Sequence, residues 1–257
     1  MSHRKEQLAA LDRLLTIMDE LRAQCPWDRK QTFESLRHLT IEETYELADA
    51  ILEKDSKSME GELGDLLLHI FFYAKIGSES QSFDIASIAH AISEKLINRH
   101  PHIYGDIKVA DEEEVKRNWE QLKLKEGKES VLSGVPNSLP ALIKASRIQD
   151  KVAGVGFDWE ASNQVLDKVK EELDELSVEV NNKVQDAIEA EFGDVLFSMI
   201  NYARFLRVDA ESALERTNKK FIKRFKYLEQ QAKSKGQNLK SMTLEEMDRY
   251  WQEAKNL

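Results

Sequence analysis

Two short stretches decide the reading of this chain: Glu42-Glu43-Thr44-Tyr45-Glu46 and Glu62-Leu63-Gly64-Asp65. Both recur. Glu171-Glu172-Leu173-Asp174-Glu175 follows the first by 129 positions, and Glu191-Phe192-Gly193-Asp194 follows the second by the same 129. The match continues through Tyr73-Ala74 and Tyr202-Ala203. Two blocks held at one offset mark a tandem repeat rather than coincidence. Further along the halves align again with small length changes. Lys95 and Arg99 answer Lys220 and Arg224, Trp119 and Lys123 answer Trp251 and Lys255, and upstream Trp27-Asp28 answers Phe157-Asp158.

Around these blocks the apolar residues fall at helical spacing. Leu8, Leu11, Leu14 and Leu15 form one stripe, and Leu63, Leu66, Leu67, Ile70 and Phe71 another; both follow the i, i+3, i+4, i+7 rule of an amphipathic helix. No alternating run reads as a strand, and 10 Gly with 4 Pro in 257 residues disfavour a turn-rich β architecture. Between the repeats, residues 126–140 carry two Gly, two Pro and three Ser, the composition of a linker or extended crossover. The expected organisation is all-α, with a helical domain at 1–125, a linker at 126–140 and a second helical domain at 141–257.

The net charge of −10 argues against broad non-specific binding to nucleic acid. A polyanionic small molecule remains compatible if a bound cation offsets the field locally. Cys25 is the only cysteine, so no intramolecular disulfide forms. No stretch approaches the roughly 20 apolar residues of a transmembrane helix, and the N-terminus lacks a signal-peptide pattern. A cytoplasmic location is expected.

Residues three apart share a helix face, so Glu43 projects with Glu46, and Glu62 with Asp65. If the two helices pack antiparallel, four carboxylates converge, and without a cation they repel or take up protons. Oxygen-only ligands favour Mg²⁺ or Mn²⁺ over Zn²⁺, and Mg²⁺ characteristically completes its shell with substrate phosphates. A lone E-x-x-E is more often a solvated acidic face. Here the repeat, the adjoining apolar stripe and Gly64 and Gly193 inside strongly helical segments favour a metal site. Gly costs about 1 kcal/mol there relative to Ala, which suggests close approach of backbone or ligand. Lys220 and Arg224, with Lys219 and Lys223 adjacent, can reach phosphate oxygens, or form an ordinary basic helix face. Trp251 can stack on a base or anchor the last helix. His69 follows Asp65 by one turn, but its counterpart is Ser198, so it carries no role. No G-x-x-x-x-G-K-[ST] phosphate loop is present.

The E-E-x-x-E and E-x-x-D blocks in a duplicated helical context resemble the MazG family of nucleoside triphosphate pyrophosphohydrolases, over nearly the whole chain. The resemblance implies Mg²⁺-dependent hydrolysis of NTPs and dNTPs to the monophosphate and pyrophosphate, by a helical-bundle homodimer. By motif it implies that Glu172, Glu175, Glu191 and Asp194 ligate the metal in the second domain, with Glu171 a candidate for positioning or deprotonating the attacking water. Lys168, Lys220, Lys223, Arg224 and Lys255 then bind phosphates, and Trp251 contacts the nucleoside. In the first domain Glu43, Glu46, Glu62 and Asp65 fill the metal positions, with Lys95, Arg99, Trp119 and Lys123 on the substrate side. The copies differ, since Leu39 stands where the second has Lys168. The second domain is therefore expected to be the principal catalytic site. Two rival readings are a narrow-specificity relative acting on dUTP, dCTP or phosphoribosyl-ATP, and a non-catalytic helical interaction module.

Overall fold

The computed structural model describes residues 3–109, 111, 114–115, 118–119 and 130–256. Helix is the only extended secondary structure among them, and no strand is present. The chain divides into two compact units, Met1–Val109 and Ala110–Leu257.

In the first unit, helices α1 (His3–Gln24), α2 (Phe33–Glu53), α3 (Ser56–Glu79), α4 (Ile85–Arg99) and the short α5 (Pro101–Tyr104) follow in order. The second unit contains α6 (Ala141–Ala153), α7 (Ser162–Asn182), α8 (Gln185–Phe205), α9 (Ala210–Ser234) and α10 (Leu244–Ala254). Both ends of α7 lie 129 positions after those of α2, and α8 starts 129 after α3. The structure thus uses the offset of the acidic blocks for its helix boundaries.

Local chemistry explains those boundaries. Thr32 and Ser35 form a reciprocal capping box at the start of α2. The α2–α3 turn is two residues long: Lys54 takes the left-handed conformation (φ 57°), and the Asp55 carboxylate accepts from the amides of Lys57 and Ser58. The α7–α8 turn repeats the device with Lys183 at φ 59°. So tight a turn sends each second helix straight back along the first, and the α2–α3 and α7–α8 pairs carry the most extensive helix contacts in their units. Asp84 and Asp209 cap α4 and α9, accepting from the amides of Ser87 and Ser212 at 2.7 and 2.8 Å.

The cores are built differently. In the first unit Met18, Leu36, Phe72 and Ile76 form a buried cluster, with Leu39, Leu68 and Tyr73 packed against it. Trp27 meets Phe72 edge-on at 6.5 Å. In the second, Val165, Val169, Val195, Ile200, Leu228, Ala232 and Tyr250 are buried. Stretch 130–140 belongs to this unit: the fully buried Lys151 donates to the carbonyls of Val131 and Ser133 at 3.1 and 3.4 Å.

Candidate active site

The two helical hairpins bring the predicted carboxylates together. Carboxylate oxygens of Glu43, Glu46 and Glu62 lie within 4.8 Å of one another, as do those of Glu172, Glu175 and Glu191. Each triad takes two glutamates from the first helix of its hairpin and one from the second. Asp65 and Asp194 stand outside these triads but close by: Asp65 acts on Glu43 and Glu46, and Asp194 lines a cavity together with Glu172.

Crowding shows in the titration of the acids. Desolvation, then the charges of Asp65, Glu46, Glu62 and Glu42, raise Glu43 above the ordinary glutamate range. Glu46 is raised chiefly by Glu62. Glu175 is raised by desolvation and by Glu172, with Lys168 working against the shift. A carboxyl whose folded pKa lies above its unfolded one opposes folding once ionised, and the penalty fades as pH falls through the folded pKa. Replacing Glu46 by Gln is therefore expected to raise the thermal midpoint at neutral pH without divalent cation, and to shrink any midpoint rise on adding Mg²⁺. A midpoint that drops in metal-free buffer would remove the repulsion argument.

Lys168 distinguishes the second hairpin. Its ammonium lies 2.8 Å from Glu171 and 2.7 Å from Glu172, and hydrogen bonds to Glu171 and then Glu172 raise its pKa. Glu172 is buried and Glu171 exposed. At the equivalent first-unit position, Leu39 packs against the apolar cluster.

Beside Glu172, Asp194 and Lys168 opens a cavity of about 520 Å³, walled by Phe157, Trp159, Phe197 and polar side chains. Arg204 pairs with Asp158 through both terminal nitrogens and donates to the Asn201 amide oxygen. The first unit's counterparts of Lys168, Phe197 and Asn201 are Leu39, Leu68 and Phe72, all members of its packed apolar cluster. The same hairpin thus presents an open cavity in one unit and a filled core in the other.

Several expected residues lie off this cavity wall. Lys220, Lys223 and Arg224 are on α9; Trp251 on α10 packs against the Phe221 ring at 4.8 Å, with the Arg224 guanidinium 5.8 Å from its centre. Lys255 follows at the end of α10. Lys95 and Arg99 lie on α4, Trp119 falls in the segment grouped with the second unit, and Lys123 lies outside the described residues. Gly64 and Gly193 do not mark a close backbone approach: a Cβ at either meets no described atom within 4 Å. His69 is buried beside Asp65, and desolvation lowers its pKa. Sequence reading missed Gln149, Asn201, Arg204 and Trp159; the Phe157-Asp158 match and the site residues Lys168, Glu172 and Asp194 were its signals for this wall.

An all-α hairpin with clustered glutamates beside a partly aromatic cavity is a candidate metal and ligand site of an acidic helical-hairpin protein. The chain belongs to the MazG nucleotide pyrophosphohydrolase family, whose domain it matches over residues 31–104 and 160–228. It is 44% identical to the nucleoside triphosphate pyrophosphohydrolase of Escherichia coli K12, over 95% of this chain and 97% of that one. It is 42% identical to the nucleoside triphosphate pyrophosphohydrolase/pyrophosphatase MazG of Thermotoga maritima, over 98% of each chain. The uncharacterized protein YabN of Bacillus subtilis is 47% identical over 93% of this chain, which spans 50% of that protein. No helix among the described residues is long and apolar enough to cross a membrane.

Proposed function

We propose that the second unit hydrolyses nucleoside triphosphates to the monophosphate and pyrophosphate, with Mg²⁺ or Mn²⁺ held by Glu172, Glu175, Glu191 and Asp194. The observation that carries this reading is the cavity of about 520 Å³ lined in part by Glu172, Asp194 and Lys168. It offers apolar and aromatic walls for a nucleoside and charged groups for the metal and phosphates, in the usual pattern of a ligand cleft. The donor set fits a hard divalent cation: three mutually close carboxylates, crowded enough to raise Glu175, need positive charge between them.

Bound there, the cation supplies Lewis-acid neutralisation of phosphate charge. The protein's own groups do the rest. Lys168 leaves its pairing with Glu171 and Glu172 to meet a phosphate oxygen, since the incoming negative charge competes for the same ammonium. Release frees the exposed Glu171 carboxylate to orient a water and accept its proton as the water attacks the α-phosphorus in line with the leaving pyrophosphate. Cleavage between the α and β phosphates rests on family membership. Lys220, Lys223, Arg224 and Lys255 stay candidate contacts for phosphate and Trp251 for the nucleoside, although none of them lines the cavity. The half-exposed Leu173, Phe192, Leu196 and Met199 on α7 and α8 support assembly as a homodimer.

The first unit retains Glu43, Glu46, Glu62 and Asp65, but Leu39, Leu68 and Phe72 fill the space a nucleoside needs. Its role is metal-binding or structural, with 1–125 and 141–257 as the two repeats. An HPLC product assay over ATP, GTP, CTP, UTP and their deoxy forms tests the reading. Monophosphate and pyrophosphate are expected, only with divalent cation present. Orthophosphate as the product would remove the α–β assignment, and turnover of one nucleotide alone would favour the narrow-specificity alternative.

A further inference from the structure

Gln149 lies on α6, is 4% exposed and lines the cavity. Its Nε2 donates to the Phe197 carbonyl on α8 at 2.8 Å. Its Oε1 is fully buried and has no hydrogen-bond partner among the described residues. Turning the amide over would set Oε1 against the Phe197 carbonyl, acceptor against acceptor, so the bond to Phe197 locks the orientation. Gln149 therefore carries a fixed, desolvated acceptor at the cavity lining, and a buried acceptor of this kind is ordinarily satisfied. Asn201 is oriented in the complementary sense. Its Oδ1 accepts from Arg204 Nε and Nη2 at 3.1 and 2.9 Å, which leaves the Nδ2 end of the amide as the donor. Trp159, Phe157 and Phe197 line the same cavity as the two amides.

We infer that Gln149 is a specificity-determining residue whose Oε1 accepts a hydrogen bond from an N–H on the edge of the nucleobase. This rests on the reading that the cavity takes the nucleoside. A site built to receive a proton rejects analogues that lack it, because the protein acceptor is then left unpaired. Bases whose inward edge carries an amino or imino proton are bound, and those in which that proton is removed or alkylated are discriminated against.

The test is a steady-state comparison of matched pairs on the full chain: ATP with purine riboside triphosphate, CTP with N4,N4-dimethyl-CTP, and UTP with N3-methyl-UTP. For at least the best substrate, blocking the proton is expected to raise the wild-type KM about tenfold with kcat little changed. Gln149→Met, which keeps side-chain length and removes the acceptor, is expected to raise KM for the unmodified nucleotide by a similar factor. It should then show no further loss on the blocked one. Equal wild-type KM within every pair overturns the inference, and so does a Gln149→Met variant that still discriminates. The substrate arm needs only wild-type protein, so misfolding of the variant cannot hide the answer. A 2′,3′-dideoxy substrate that alone reproduces the loss assigns the acceptor to the sugar and also overturns it. The underlying reading fails separately: Asn201→Phe, which fills the cavity, would leave KM unchanged.

Discussion

Replacing Glu172 by Gln is expected to lower turnover about a thousandfold, while Glu43→Gln leaves most of it intact. Glu172 takes part in three arrangements at once. It belongs to the carboxylate triad, pairs with Lys168 at 2.7 Å, and forms part of the cavity wall. Removing its charge weakens the cation site and strips Lys168 of one partner. Loss of a single preorganised electrostatic contact typically costs about 10²–10³ in rate, and here two are affected. Glu43 has the same place in the first triad, but that hairpin puts Leu39 and Phe72 into its apolar cluster where the second has the cavity-lining Lys168 and Asn201. Steady-state rates at saturating Mg²⁺ and nucleotide decide the matter. Loss of activity in Glu43→Gln with Glu172→Gln still active would reverse the ranking of the two units. Loss in both would mean that the first unit contributes to catalysis despite its filled cavity.

Much of this was legible in the sequence because the relevant distances are short along the chain. Glu172 and Glu175 lie on one helix at a spacing that fixes their common face, and the two-residue turn at Lys183-Val184 returns Glu191 to them. Periodicity and a constant offset were enough to expect a hairpin and its acid cluster. The Lys168–Leu39 difference was likewise readable, and the expected inequality of the sites rests on it. The cavity was not. Its wall joins Gln149 on α6 to Phe197, Asn201 and Arg204 on α8, and no spacing rule links positions 48 residues apart. Nor does an amide in a helix announce that one end will be buried without a partner. Gly64 and Gly193 were only partly legible for a related reason: intrinsic propensity registers the cost of glycine in a helix, but not whether backbone or a ligand stands next to it. The described atoms leave that space open.

The filled cavity of the first unit makes a claim about stability that can be measured directly. Phe72 is 2% exposed and packs with Met18, Leu36 and Ile76, while its ring meets Trp27 edge-on. Truncating a buried Phe to Ala removes its transfer energy and leaves a cavity, at a typical cost of about 3–5 kcal/mol. Phe72→Ala is therefore expected to destabilise the first unit by about that amount, read from denaturant unfolding. Asn201, the equivalent second-unit residue, borders open space and hydrogen-bonds Arg204. Asn201→Ala should cost only about 1 kcal/mol, the worth of an ordinary hydrogen bond. The contrast matters more than either value. A large loss at Phe72 and a small one at Asn201 mean that one hairpin position was used for packing in one repeat and for a ligand cavity in the other. Similar losses at both positions would mean that the second cavity is packed as tightly as the first core. The nucleoside would then need another place to bind.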